Sequence, residues 1–426
     1  MKKFVLVYIA LRSTVLVFYD THLLPGISVT DFVGVTFPAL LLYYYFTTEE
    51  KPFHFLNHII IIWFGWMILS SVLEYFVYNT NILGNIIMVF KFLNAFAVFL
   101  VFPALFKTKE DVNMVVNAFL ISSLFPLAQG IAQQVFGPTF LGMMVMVRPG
   151  GIQLYSGFYG NYGTFSLLAE FGLMCLIYKF KQMELQTGLL WKLFYIFLFV
   201  AYLALALMTL SRTLFIIVST ISIAILMGFK LRKNIPFLVL MIMALGYIAT
   251  TDYFTEKYES ILARSQSEIA VMEGEQKIEH GMHGRVGRWG GYLEKFYEQY
   301  TPAERILGTD INIGPHGDYF YWLFRYGYVG IGLYISFFIC LTLWCFVRYF
   351  KCKDPLDKAY GRLALVAILA WLFQAVTSIP SLTTDSSLFI LGNISIFLNM
   401  KLKDTTQRSR DASFAQKPIY EMPALQ

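Results

Sequence analysis

Charge is what this sequence has least of. Only 14% of its 426 residues are Asp, Glu, Lys or Arg, against about 25% in a typical soluble domain. With 57% of residues hydrophobic and a mean hydropathy of +0.60, a soluble globular fold is excluded. Cysteine is nearly as scarce. The four residues Cys175, Cys340, Cys345 and Cys352 lie in or beside apolar runs, and none falls in the long polar stretch 251–319. That placement excludes a disulfide framework, and the spacing fits no metal site. His280 and His283 lie three residues apart. Gly281 weakens the helix that would align them and no third ligand accompanies them, so neither a metal nor another cofactor is expected. A concentrated basic tract is also missing. The formal charge of +6 is spread along the chain and calls for no nucleic acid. No small-residue cleavage site follows the opening Met1-Lys2-Lys3, so the first apolar run is expected to stay as a span.

What is present is a succession of apolar runs of bilayer-crossing length. Twelve spans are expected, at 4–19, 32–46, 57–77, 85–106, 113–135, 163–179, 191–208, 213–229, 235–250, 320–347, 363–379 and 386–400. Arg12 makes the first the least regular. Lys and Arg alternate with these spans. Lys2, Lys51, Lys107, Lys179, Lys230, Arg348, Lys351, Lys353 and Lys401 fall on one side, while the short loops of the other side carry only Arg148 and Arg212. The positive-inside bias then places both termini in the cytoplasm. The expected fold is an all-α polytopic membrane protein. Its membrane domain is 1–403, with a large, partly helical outer loop at 251–319, and a disordered cytoplasmic tail follows at 404–426.

Within the outer loop, Val286, Trp289, Leu293, Phe296, Tyr297 and Tyr300 form an amphipathic stripe, and Pro302 and Gly308 are read as breaks. Acids outnumber bases there, so the loop is no general basic docking surface. Arg285 and Arg288, three apart, share a helix face and suit a diphosphate through charge-assisted paired hydrogen bonds. The plainer alternative is a solvated face. His316, in Gly314-Pro315-His316-Gly317-Asp318-Tyr319, has an unperturbed pKa of about 6.5, suited to a general base. The alternative is a boundary His bonded to headgroups. Arg148 lies in a Gly- and Tyr-rich outer loop fit to stack on sugars. Arg212 sits at a tight outer turn, where it either snorkels or points into the bundle. Lys91, Asn94 and Glu170 are polar groups within spans, either lining a cavity or reaching its edge.

Four stretches, in order, carry a likeness: Arg148-Pro149-Gly150 with Gly160-Asn161-Tyr162-Gly163; Leu210-Ser211-Arg212-Thr213; Arg285 through Trp289; and His316-Gly317-Asp318-Tyr319 leading to Tyr326-Gly327-Tyr328-Val329-Gly330. In these the chain resembles the bacterial O-antigen polymerase and O-antigen ligase superfamily, polytopic glycosyltransferases of the GT-C type. The resemblance implies an enzyme of the bacterial inner membrane acting at its outer face, with a polyprenyl-diphosphate-linked glycan as donor, a glycan hydroxyl as acceptor, and a chain-length regulator as a candidate partner. It implies His316 as base and Arg148, Arg212, Arg285 and Arg288 on the diphosphate, with Tyr162, Asp318 and Tyr319 as glycan contacts. A polymerase is the favoured member and a ligase acting on lipid A-core the alternative. A transporter is disfavoured, because neither paired halves nor matching broken spans are visible.

Overall fold

The computed structural model describes residues 1–209 apart from 25–26, 50, 52–53, 79–81, 148–152, 160–161 and 187, then 219–224, scattered positions between 250 and 277, and 281–400 apart from 310–316 and 379. The chain is an all-α polytopic membrane protein. Among the described residues, seven helices are long and apolar enough to cross a bilayer. The helices are α1 (Lys2–Val15), α2 (Val29–Thr47), α3 (Phe55–Tyr78), α4 (Ile82–Leu105), α5 (Lys109–Phe136), α6 (Tyr162–Gln186) and α7 (Leu189–Thr209), then α8 (Gly281–Glu298), α9 (Pro302–Leu307), α10 (Asp318–Lys351), α11 (Pro355–Thr377) and α12 (Gly392–Asn399). A π-helical stretch, Ser387–Leu391, leads into α12. The expected spans 213–229 and 235–250, and the tail 404–426, lie outside the described residues, save for helical 219–224.

Several helices begin earlier than the apolar runs because their first turns are polar. Ser28 with Asp31 opens α2 and Thr108 with Asp111 opens α5, each by a reciprocal capping box. Asp354 caps α11 ahead of Pro355, which adds eight residues to the expected 363–379. Such caps satisfy backbone N–H groups that a helix start leaves without partners, and hydropathy alone does not register them.

One end of the bundle gathers the cations of the Lys-rich side. Lys2 pairs with Asp111 at 2.7 Å, and Lys109 reaches Asp354 at 2.8 Å and Asp357 at 3.2 Å. Burial raises the Asp354 carboxyl, but Lys109 and the amides of Leu356 and Asp357 overcome that and leave it below its usual value. Eleven residues along α1 from Lys2, Ser13 meets Ser122 on α5, eleven along from Asp111. The two helices therefore run parallel in constant register, brought close by small side chains. Asn94 ties α4 to α2 by donating to the Gly34 carbonyl at 2.9 Å, whereas Lys91 is exposed.

The opposite end carries two small hairpins that the sequence reading left as loops. β1 (His22–Leu24) pairs with β2 (Ile27–Ser28), and β3 (Met144–Val147) pairs antiparallel with β4 (Gln153–Gly157). The β3–β4 hairpin is pinned to α5 by two amides. Gln133 accepts from the Gly157 N–H and donates to the Met144 carbonyl, while Gln129 accepts from the Phe158 N–H.

Candidate functional site

The amphipathic stripe of the outer segment is α8, and it packs on the first turns of α10. Trp289 stacks on Phe320 at 5.2 Å, Tyr292 meets Phe324 at 5.9 Å, and Phe296 contacts Phe324 at 5.6 Å and Tyr328 at 5.4 Å. Both members of these pairs advance together, so α8 and α10 run in the same direction. Arg285, one turn before Trp289 on the same face of α8, is thereby placed toward the N-terminus of α10. Phe296 and Tyr300 are buried, while Tyr297, assigned to the stripe from sequence, is 54% exposed. Arg288 is exposed.

Pro302 starts a helix rather than breaking one. It is the first residue of α9, with Thr301 and Glu304 forming its capping box, where a missing N–H costs nothing. Arg305 donates to the carbonyls of Phe296 and Tyr297, closing the C-terminal end of α8. The end of α9 then sits against a kink in α10 at Gly327, whose φ is +64°. An added Cβ there would meet the Ile306 carbonyl oxygen at 2.3 Å, so only glycine fits. The carbonyls freed at the kink find donors: Thr309 N–H to Phe324 and Trp66 Nε1 to Tyr326, each at 3.2 Å. Glu74 on α3 reaches Arg325 at 3.4 Å below it. The string Tyr326–Gly330, quoted above for a family likeness, is this kink and its packing.

The start of α10 is the most elaborately held point of the molecule. Asp318 is fully buried, and its carboxylate accepts from the Ser381 hydroxyl at 2.7 Å, the Ser381 N–H at 3.2 Å and the Tyr334 hydroxyl at 3.2 Å. Trp322 Nε1 donates to the Ser381 hydroxyl oxygen and Trp371 Nε1 to that of Tyr334, both at 3.1 Å. The Asp318 oxygens are thus satisfied from within, and the residue presents no surface. Tyr319 is half-buried, with its hydroxyl on the Leu372 carbonyl at 3.3 Å. Gly317 packs on the last turn of α11, where an added Cβ would lie 3.0 Å from the Val376 carbonyl oxygen.

α11 bridges α10 to α6, whose first residue is Tyr162. Gln374 donates to Glu170 at 2.8 Å, with both buried. The helix starts that carry Tyr162 and Asp318, and the end of α11, thus share one rim of the bundle. Arg148, Arg212 and His316 lie outside the described residues, as do the side chains of Tyr162 and Arg285. The pairing of Trp289 with Phe320 sets α8 beside the first turns of α10, the helix that Asp318 and Tyr319 open.

A second polar centre was not anticipated. Arg12 Nε donates to Asp385 at 2.7 Å in the bundle interior, joining the first helix to the last. Ile9, Ser122, Ser123, Phe171 and Leu388 help line a cavity beside them of about 10 Å³, and Arg12 Nη1 finds no partner among the described residues. That volume suits about one water, far less than a sugar ring. Tyr159 nearby has its hydroxyl pushed up by burial. The signal in sequence was the charge of Arg12 within the first apolar run; Asp385, in the polar stretch ahead of the last run, carried none.

No family model matches the chain, and no curated protein matches it. Among solved structures it is similar to one described as "Structural coordination of polymerization and crosslinking by a peptidoglycan synthase complex", with 13% identity over 80% of this chain and 96% of that one, and a TM-score of 0.39. A likeness that distant carries no functional argument, and the reading that follows rests on the chain's own residues.

Proposed function

We propose that the chain is a metal-independent, inverting glycosyltransferase that joins polyprenyl-diphosphate-linked oligosaccharide repeats into a surface polysaccharide such as O-antigen, capsule or exopolysaccharide. The observation that carries this reading is the parallel register of α8 and α10, which sets the arginine-bearing first turns of α8 beside the helix start that follows His316. Fixed positive charge and a titratable base near one rim are what transfer from a glycosyl diphosphate needs. The acceptor hydroxyl attacks the anomeric carbon from the face opposite the leaving group and forms the new C–O bond. The bond to the diphosphate oxygen breaks, and the polyprenyl diphosphate leaves with that electron pair. His316 takes the hydroxyl proton. The departing diphosphate keeps its negative charge, so guanidinium groups serve it better than an acid would. Arg148, Arg212, Arg285 and Arg288 supply that charge in this reading. Tyr162 and Tyr319 offer rings to the glycan, and Asp318 acts through position.

The test uses the purified full chain in nanodiscs with a synthetic polyprenyl-diphosphate repeat unit, read as a ladder of extended glycans. His316→Ala is expected to abolish extension, and Arg285→Ala to lower it about 10- to 1,000-fold, as loss of one charge-stabilising donor does. Full activity of His316→Ala would end the proposal. Transfer only to an added lipid A-core acceptor would replace polymerase with ligase. Glycan flux into proteoliposomes without bond formation would indicate a transporter.

A further inference from the structure

We propose that Ser381, which no sequence signal marks, works with Asp318 as a positioning clamp that fixes the backbone entering α10. The inference rests on the reading of His316 as the base. Ser381 lies on the turn between α11 and the π-helical lead into α12, 63 residues from Asp318. It is fully buried and uses both its hydroxyl and its N–H on the two oxygens of that one carboxylate. A charged acceptor held by three donors in an apolar interior costs far more to leave half-satisfied than to keep whole. The tryptophans and Tyr334 that complete the network are themselves buried, and Trp63 packs against Trp322 at 4.7 Å and Tyr334 at 5.5 Å, so water does not compete.

The clamp acts two residues along the chain from the proposed base. Asp318 is the first residue of α10, where its charge also complements the helix dipole. Gly317 stands close enough to α11 that an added Cβ would lie 3.0 Å from the Val376 carbonyl oxygen and 3.1 Å from that of Ala375. A trans peptide holds consecutive Cα atoms about 3.8 Å apart. Gly317 and Asp318 are thus tied to α11 and to Ser381 at the two positions that follow His316 in the sequence. A reacting base must be held to within a fraction of an ångström, and a displacement of about 1 Å costs on the order of 100-fold in rate.

The experiment compares wild type with Ser381→Ala, Ser381→Thr and Trp371→Phe in nanodiscs, measuring repeat extension and backbone hydrogen exchange by mass spectrometry. Ser381→Ala is expected to lower kcat about 10- to 100-fold with KM for the donor unchanged within about threefold, and to speed exchange at 317–321 but not along α5 or α6. Ser381→Thr, which keeps the hydroxyl, should recover most of both. Trp371→Phe, which touches the network only through Tyr334, should change kcat less than Ser381→Ala does. A folded Ser381→Ala protein with wild-type kcat overturns the clamp. So does unchanged exchange at 317–321, or an equal kcat loss in Trp371→Phe. If wild type forms no glycosidic bond, the proposed function fails and the exchange measurement alone judges the clamp.

Discussion

Arg12 and Asp385 show what a single residue decides. Two charges withdrawn from water are offset only while both remain, and removing one leaves the other buried without a counter-charge. Arg12→Met alone is expected to destabilise the protein by about 3–5 kcal/mol. The double change Arg12→Met with Asp385→Leu should recover most of that loss, because apolar side chains of similar size fill the same space. Thermal unfolding of detergent-solubilised protein checks both. Equal destabilisation by the single and double variants would mean that the pair does more than balance charge. Arg12 was visible in the sequence as an irregular residue in an apolar run, but its partner 373 residues away was not. Periodicity reports which face of a helix is buried, not which other helix buries it. Ser381 was more hidden still, since a lone serine between two spans looks like any loop residue.

Among the elements, α8 was legible and α9 was not, for related reasons. The aromatic stripe of α8 repeats at helical spacing, and only Tyr297 fell on the wrong face. Pro302 was read as a break because proline disrupts helix interiors, yet at a first helical position it stabilises, and Thr301 with Glu304 was the capping signal that marked it. The β3–β4 hairpin likewise carried its signal, Pro149-Gly150-Gly151 between two short apolar stretches. A stripe that seats α8 on α10 makes a contrast between neighbouring residues. Phe296→Ala should release α8 at a cost of about 3–5 kcal/mol locally, seen as faster proteolysis within 281–300, while Tyr297→Ala should leave cleavage near wild type. Equal rates in the two variants would refute the packing of α8 on α10.

Over the whole molecule, charge placement and geometry bear on one another. Lys2, Lys109 and Arg348 stood on one side in the alternation of charges, and the structure sets Lys2 on Asp111, Lys109 on Asp354 and Arg348 on the Met400 carbonyl, all at one end of the bundle. The prediction that follows is an orientation. Tags at the N- and C-termini should be digested by protease only in inverted vesicles, and a tag inserted between Gln299 and Thr301 only in intact spheroplasts. Digestion of either terminal tag in intact spheroplasts would reverse the assigned topology.

By itself the sequence determined that the chain lives in a bilayer, roughly where most of its described helices lie, and which end carries the cations. Those properties are local: an apolar run must leave water and satisfy its own backbone hydrogen bonds as a helix, and each charge is sorted by its distance from the nearest span. Tertiary structure alone decided that Asp318 faces Ser381, that Arg12 answers Asp385, and that Gly327 is a kink receiving the end of α9. Each of these joins residues tens to hundreds of positions apart. Their pairing follows from how the helices pack, a property of the whole bundle that no single stretch encodes.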